Sequence, residues 1–137
     1  MTRVVALVSL LCVLVSCSKQ KGTTTPATKQ LSSCEQPLSP REITLDPDEV
    51  HQLVATNQRL IQHCYEEKLV RNPSLHGVIN VNLYVNEHGH PTRVCKAEST
   101  LPSQQVVECV LQVFSQFRFA KRSEAAASTY PVTFSAH

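Results

Sequence analysis

The sequence predicts an α+β domain in which helices pack on one face of a small antiparallel sheet, behind a leader and a polar tether. Three observations predict it. Apolar residues recur at helical spacing over two stretches, Val50 to Cys64 and Val106 to Phe117. Between those stretches, from Gly77 to Val85, the period is two. A run rich in Ser, Thr, Gln, Lys and Pro, with neither period, precedes them all. The predicted order is helix, strand, strand, helix, strand, which places two helices on a three-stranded antiparallel sheet.

The chain opens with Arg3 and a nearly unbroken apolar run from Val4 to Val15, in which only Ser9 is polar. About a dozen residues fall short of the ~20 that a membrane-spanning helix needs, so the run reads as a cleavable leader. It ends in Leu14-Val15-Ser16-Cys17, an aliphatic residue and small or modest ones before a cysteine, which is the pattern of a bacterial lipoprotein. Residues 1–16 are then removed, and the Cys17 thiol is the atom that takes a diacylglyceryl group. Ser18 rather than an aspartate follows, which in Gram-negative bacteria favours the periplasmic face of the outer membrane. Residues 17–45 form the tether, and a coil of ~28 residues has an r.m.s. reach of ~30 Å, enough to lift a domain clear of the headgroups.

The domain is assigned to residues 46–137. Asp46 suits a helix N-cap, Pro47 the first helical position, and Glu49 completes a capping-box-like pattern. Val50, Leu53, Val54, Leu60, Ile61 and Cys64 make the apolar stripe, interrupted at Asn57, and Asn72-Pro73 stops the helix near Arg71. In the first strand Ile79, Val81, Leu83 and Val85 share one face, opposite Val78, Asn80, Asn82 and Tyr84. Asn86-Glu87-His88-Gly89 reads as a hairpin turn, followed by a weaker strand from Thr92 to Ser99. Pro102 opens the second helix, with Val106, Val110, Val113, Phe114 and Phe117 as its stripe. A polar stretch from Lys121 to Ser128 leads to a last strand, Thr129 to Ser135. Pro131 has no N–H to give, so that strand belongs at a sheet edge.

Charge and chemistry exclude several classes. Charged residues are 18% and the net charge is +2, falling to about +1 once Arg3, the leader's one cation, is removed. No basic patch marks a nucleic-acid partner, and with no Trp and 5% aromatics, platforms for stacking bases are scarce. His88 and His90, beside Glu87, lack the ligand spacing of a closed metal site and read as a solvated turn. His63 and Cys64 point to different faces of their helix. There is no Cys-x-x-Cys, no nucleophile motif, and with three glycines no phosphate loop. The expectation is no enzyme, cofactor, metal or small-molecule substrate. Cys12 leaves with the leader and Cys17 carries the lipid. Cys34, Cys64, Cys95 and Cys109 then remain, an even set in an oxidising compartment, with three connectivities open to them.

Several segments, in this order, resemble the C-terminal domain of TonB. The likeness is closer to its variant in the AgmX and PglI proteins of myxobacterial gliding motility. They are Cys64-Tyr65-Glu66, Arg71-Asn72-Pro73-Ser74-Leu75-His76-Gly77, the turn Gly89, Ser99-Thr100-Leu101, Val107-Glu108-Cys109-Val110, Phe117-Arg118-Phe119 and Tyr130-Pro131-Val132-Thr133-Phe134. The resemblance covers about residues 47 to 135. The chain departs from it at Pro91, at Ala120, and at Lys96, where an apolar residue is usual and the strand either bulges or buries Cys95 instead. TonB-type transducers also carry an N-terminal membrane helix and a long spacer, whereas here a lipid and a short tether stand, so force transduction is not expected.

The resemblance implies an interaction module that adds a partner's strand to its sheet edge. The candidate edge is Thr129, Tyr130, Pro131, Val132, Thr133, Phe134 and Ser135, with Pro131 also able to blunt it. The family carries cysteines at the positions of Cys64 and Cys109, which implies a bridge closing a loop of about 45 residues, worth on the order of 4 kcal/mol. Cys34 and Cys95 are left as a second pair that would pin the tether to the second strand. The implied role is a membrane-anchored lipoprotein that binds another envelope protein, accessory to a motility or transport complex. The alternative is a structural lipoprotein that contacts peptidoglycan or spaces envelope components.

Overall fold

The computed structural model describes Cys34 and residues 43–135. The leader, the Cys17 lipidation site and nearly all of the tether lie outside the described residues. In chain order the elements are β1 (Ile43–Thr44), α1 (Pro47–Thr56), α2 (Gln58–Leu69), β2 (Gly77–Val85), β3 (Pro91–Ser99), α3 (Gln104–Phe114) and β4 (Ala126–Phe134).

The first helical stretch forms as two helices because Asn57 breaks it. Its side-chain amide donates to the Leu53 carbonyl at 2.8 Å, and its backbone N–H also turns back on the Leu53 and Val54 carbonyls. Such local bonding competes with helix continuation. At the start of α1, Asp46 accepts from the Asp48 N–H at 3.0 Å as an N-cap should. The other half of the expected capping box is not made. Glu49 instead accepts from the Ala120 N–H at 2.6 Å and the Arg122 guanidinium at 3.0 Å, binding α1 to the loop before β4. The helix ends at Leu69, slightly before the expected stop. α3 starts at Gln104, two residues beyond Pro102, with Ser103 as its N-cap, the Ser103 hydroxyl accepting from the Val106 N–H. Phe117 lies past its end yet is buried, stacked on Phe114 with ring centres 4.7 Å apart.

The sheet is four-stranded and mixed, in the order β1-β4-β2-β3, rather than three-stranded and antiparallel. β2 pairs antiparallel with β3 and β4, while β1 pairs parallel with the start of β4. β1 lies in the segment assigned to the tether, and two residues are too few to display a period of two. Leu45, just after it, is fully buried, so the ordered domain starts before Asp46. β4 begins at Ala126 instead of Thr129, because Ala126 and Ala127 carry little strand preference of their own and are held by pairing on both sides.

The core lies between the helices and one face of the sheet. Ile79, Val81, Leu83 and Val85 are buried there together with Val106, Val110, Leu111 and Phe114 from α3. Each such side chain contributes roughly 1.5–3 kcal/mol relative to exposure. The opposite face of β2 is half-buried except at Asn82, which is buried between its register partners Cys95 on β3 and Thr129 on β4. The Thr129 hydroxyl donates to the Asn82 amide oxygen at 2.7 Å, so this buried polar group is bonded. β3 bulges opposite Asn80 and Val81 and also buries Cys95, so both outcomes allowed for Lys96 occur together. Between β2 and β3, Gly89 sits at φ +79°, and a Cβ there would run into the Phe119 carbonyl.

Candidate recognition edge and groove

Which backbone atoms of β4 remain available follows from its hydrogen bonding. The Leu45 N–H donates to the Ala127 carbonyl at 3.1 Å, so the polar backbone atoms of Ala127 face β1. Backbone direction alternates along a strand, which turns Thr129, Pro131 and Thr133 the same way. The other side of the sheet gives the same answer. The Thr100 N–H bonds the Val78 carbonyl at 2.9 Å, directing Val78 toward β3 and its neighbour Ile79 toward β4, where Val132 is the register partner. β1 ends at Thr44, opposite Ala127. Among the described residues, no strand pairs with β4 beyond that point on its outer side. The strand is thus an edge from Thr129 onward and an inner strand before it. The missing N–H of Pro131 falls on the open side, where it interrupts no bond to β2.

A groove of about 460 Å³ runs beside this open stretch. Val54, Ile61 and Tyr65 wall it from the helices, and Tyr130, Val132 and Phe134 from the strand. Tyr65 stacks on Phe134 with ring centres 4.8 Å apart, and its hydroxyl donates to the Leu75 carbonyl, fixing the floor of one end. At the other end His51 Nδ1 lies 3.1 Å from the Tyr130 hydroxyl. None of the residues lining the groove is Asp, Glu, Lys or Arg. Ala55 and Gln58, on either side of the break at Asn57, both line the groove wall.

The seven residues singled out in the last strand do not act alike. Thr129, Pro131 and Thr133 are exposed along the helix-free face, while Val132 and Phe134 are buried and Tyr130 half-buried toward the groove. Ser135 is exposed just after the strand ends. On the helix side of the groove, the sequence marks Val54 and Ile61 only as part of the apolar stripe and gives no signal for His51. His88 and His90 are exposed on the hairpin, their N–H groups bonded to the Asn86 side chain at 3.1 and 2.9 Å. His63 lies 3.4 Å from Glu67 on the open surface of α2. Among the described residues, no three His, Cys, Asp or Glu side chains gather as a metal site, and no helix is long and apolar enough to cross a membrane.

The four cysteines among the described residues are paired. Cys64 joins Cys109, α2 to α3, with Cα atoms 5.7 Å apart. Cys34 joins Cys95 on β3, Cα atoms 5.4 Å apart, and the Cys34 N–H donates to the Lys96 carbonyl at 3.1 Å. Fold and cysteines together define a small disulfide-bridged α+β domain in which the described residues leave the edge of β4 open beside a groove lined by no Asp, Glu, Lys or Arg.

No family model and no curated protein matches the chain. Among solved structures it is similar to the TonB C-terminal domain of Helicobacter pylori, in two solution structures. One has 15% identity and a TM-score of 0.46, covering 66% of this chain and 83% of that one. The other has 17% identity and a TM-score of 0.43, covering 61% and 94%.

Proposed function

We propose that this protein is a lipid-anchored envelope lipoprotein whose domain binds another protein by taking a strand of it onto the open edge of β4. The observation that carries the reading is that edge itself. Thr129 and Thr133 present both a donor and an acceptor outward, Pro131 an acceptor, and a groove lined by no Asp, Glu, Lys or Arg lies beside them for the side chains of the added strand. Backbone bonds would supply affinity and the groove selectivity. Catalysis is not part of the proposal. The anchor is the lipid on Cys17, the place the periplasmic face of the outer membrane, and the partner a component of an envelope-spanning motility or transport complex.

Chemical crosslinking in the native envelope tests it. One stoichiometric protein should be captured, and Thr133→Pro, which removes an outward donor, should abolish the capture. Retention on murein sacculi with no protein captured would transfer the role to peptidoglycan. Mass spectrometry of the mature N-terminus tests the anchor separately, since a terminus without acyl chains sinks it.

A further inference from the structure

The open stretch of β4 has a gap in its donors. Thr129 and Thr133 each turn an N–H and a carbonyl outward, whereas Pro131 between them offers only a carbonyl. An uncharged edge of this kind is open both to a second copy of itself and to a strand of another protein. We infer that Pro131 discriminates between the two, barring the self-paired dimer and admitting an uncharged foreign strand with apolar side chains at alternate positions. This rests on β4 being the recognition edge.

Symmetry makes the discrimination. A two-fold dimer uses the same patch on both copies. Any antiparallel self-pairing across Thr129 to Thr133 therefore meets the absent donor and the proline ring twice. Each meeting leaves a carbonyl of the other copy without its ladder partner. A foreign strand meets the gap once, and its own sequence is free to bulge or end there.

Charge and geometry fix the chemistry of that strand. A carboxylate or ammonium turned into the groove would lose part of its water and find no Asp, Glu, Lys or Arg there to pair with, His51 at one end being the one lining side chain that can take up a charge. Side chains alternate along a strand, so every second one enters the groove beside Val132 and Phe134. The intervening ones extend the exposed face that carries Thr129, Pro131 and Thr133, where polar residues are at home.

Sedimentation equilibrium on the oxidised full chain, with amide exchange read at Thr129 and Thr133, tests the first half. The wild type should stay monomeric across the micromolar range. Pro131→Thr and Pro131→Ala should each self-associate at least tenfold more tightly, with both threonine amides slowed in the dimer. Slow exchange at Val81 checks that the sheet is intact. Variants as monomeric as the wild type overturn the inference, and so does a wild-type dimer that protects Thr129 and Thr133. For the second half, two capped peptides of about eight residues, one alternating valine with threonine and one alternating lysine with threonine, are titrated into the wild type. The valine peptide should perturb the Thr129 and Thr133 amides and bind at least tenfold more tightly. Equal binding, preference for the lysine peptide, or no binding by either overturns the stated chemistry. Failure of the β4 edge as such would show elsewhere, as capture of the native partner that survives Thr133→Pro.

Discussion

β3 and β4 flank β2 with nine residues each, yet their outer sides are built to opposite ends. β3 carries Arg93, Lys96 and Glu98, its register with β2 shifts twice, and Cys34 is bolted to it by a disulfide and a backbone bond to Lys96. Charges, bulges and a covering segment are the devices by which proteins protect an edge from unwanted pairing. β4 has no charged residue, runs in continuous register with β2, and is covered by β1 only at its start. Its one protective feature is Pro131. An edge left bare among the described residues, while its counterpart is guarded on three counts, is the difference on which the proposed contact rests.

The contrast can be broken from either side. The largest effect is expected from releasing β3. Replacing Cys34 and Cys95 by serine removes a cross-link spanning 61 residues and should cost up to ~4 kcal/mol in urea unfolding. Partner capture by the folded fraction should be unchanged, and a loss of capture would mean that the bolted edge takes part in recognition. Next is the groove wall. Val132→Ala should destabilise by roughly 1–3 kcal/mol and weaken capture as well, because the same side chain serves both core and groove. Thr133→Pro should lower affinity at least tenfold, about 1.4 kcal/mol, with a smaller change in unfolding, since its N–H faces away from β2. The smallest effect belongs to Tyr130→Phe, which removes only the contact with His51 and should change stability by less than about 1 kcal/mol. A larger loss there would make that contact a main strut of the groove.

Much of this was legible before the fold was known, where one element carried its own signal. The alternation from Ile79 to Val85 needs no partner to be read, and all four of its apolar residues are in the core. Asn57 interrupts the apolar stripe in the sequence, but the division of that stretch into α1 and α2 was not expected from it. Pro131 announced an edge, correctly for its own half of the strand and wrongly for Ala126 and Ala127, which β1 covers. What could not be read depends on pairs distant in the chain. Ile43 and Thr44 are a strand only because β4 offers them a ladder. Glu49 left its capping box because Ala120 and Arg122 present better donors than the backbone of Asp46. The groove joins α1 and α2 to a strand more than sixty residues away, and no local pattern in either half describes the space between them.

The placement of Cys34 also decides how the domain responds to load. Tension arriving from the N-terminal side of Cys34 passes through its sulfur into Cys95, and so into the far strand of the sheet. The weak two-residue clasp of β1 lies downstream of that rivet and carries none of the strain. Pulling on the chain ahead of Cys34 should therefore leave the pairing of β1 with β4 unloaded.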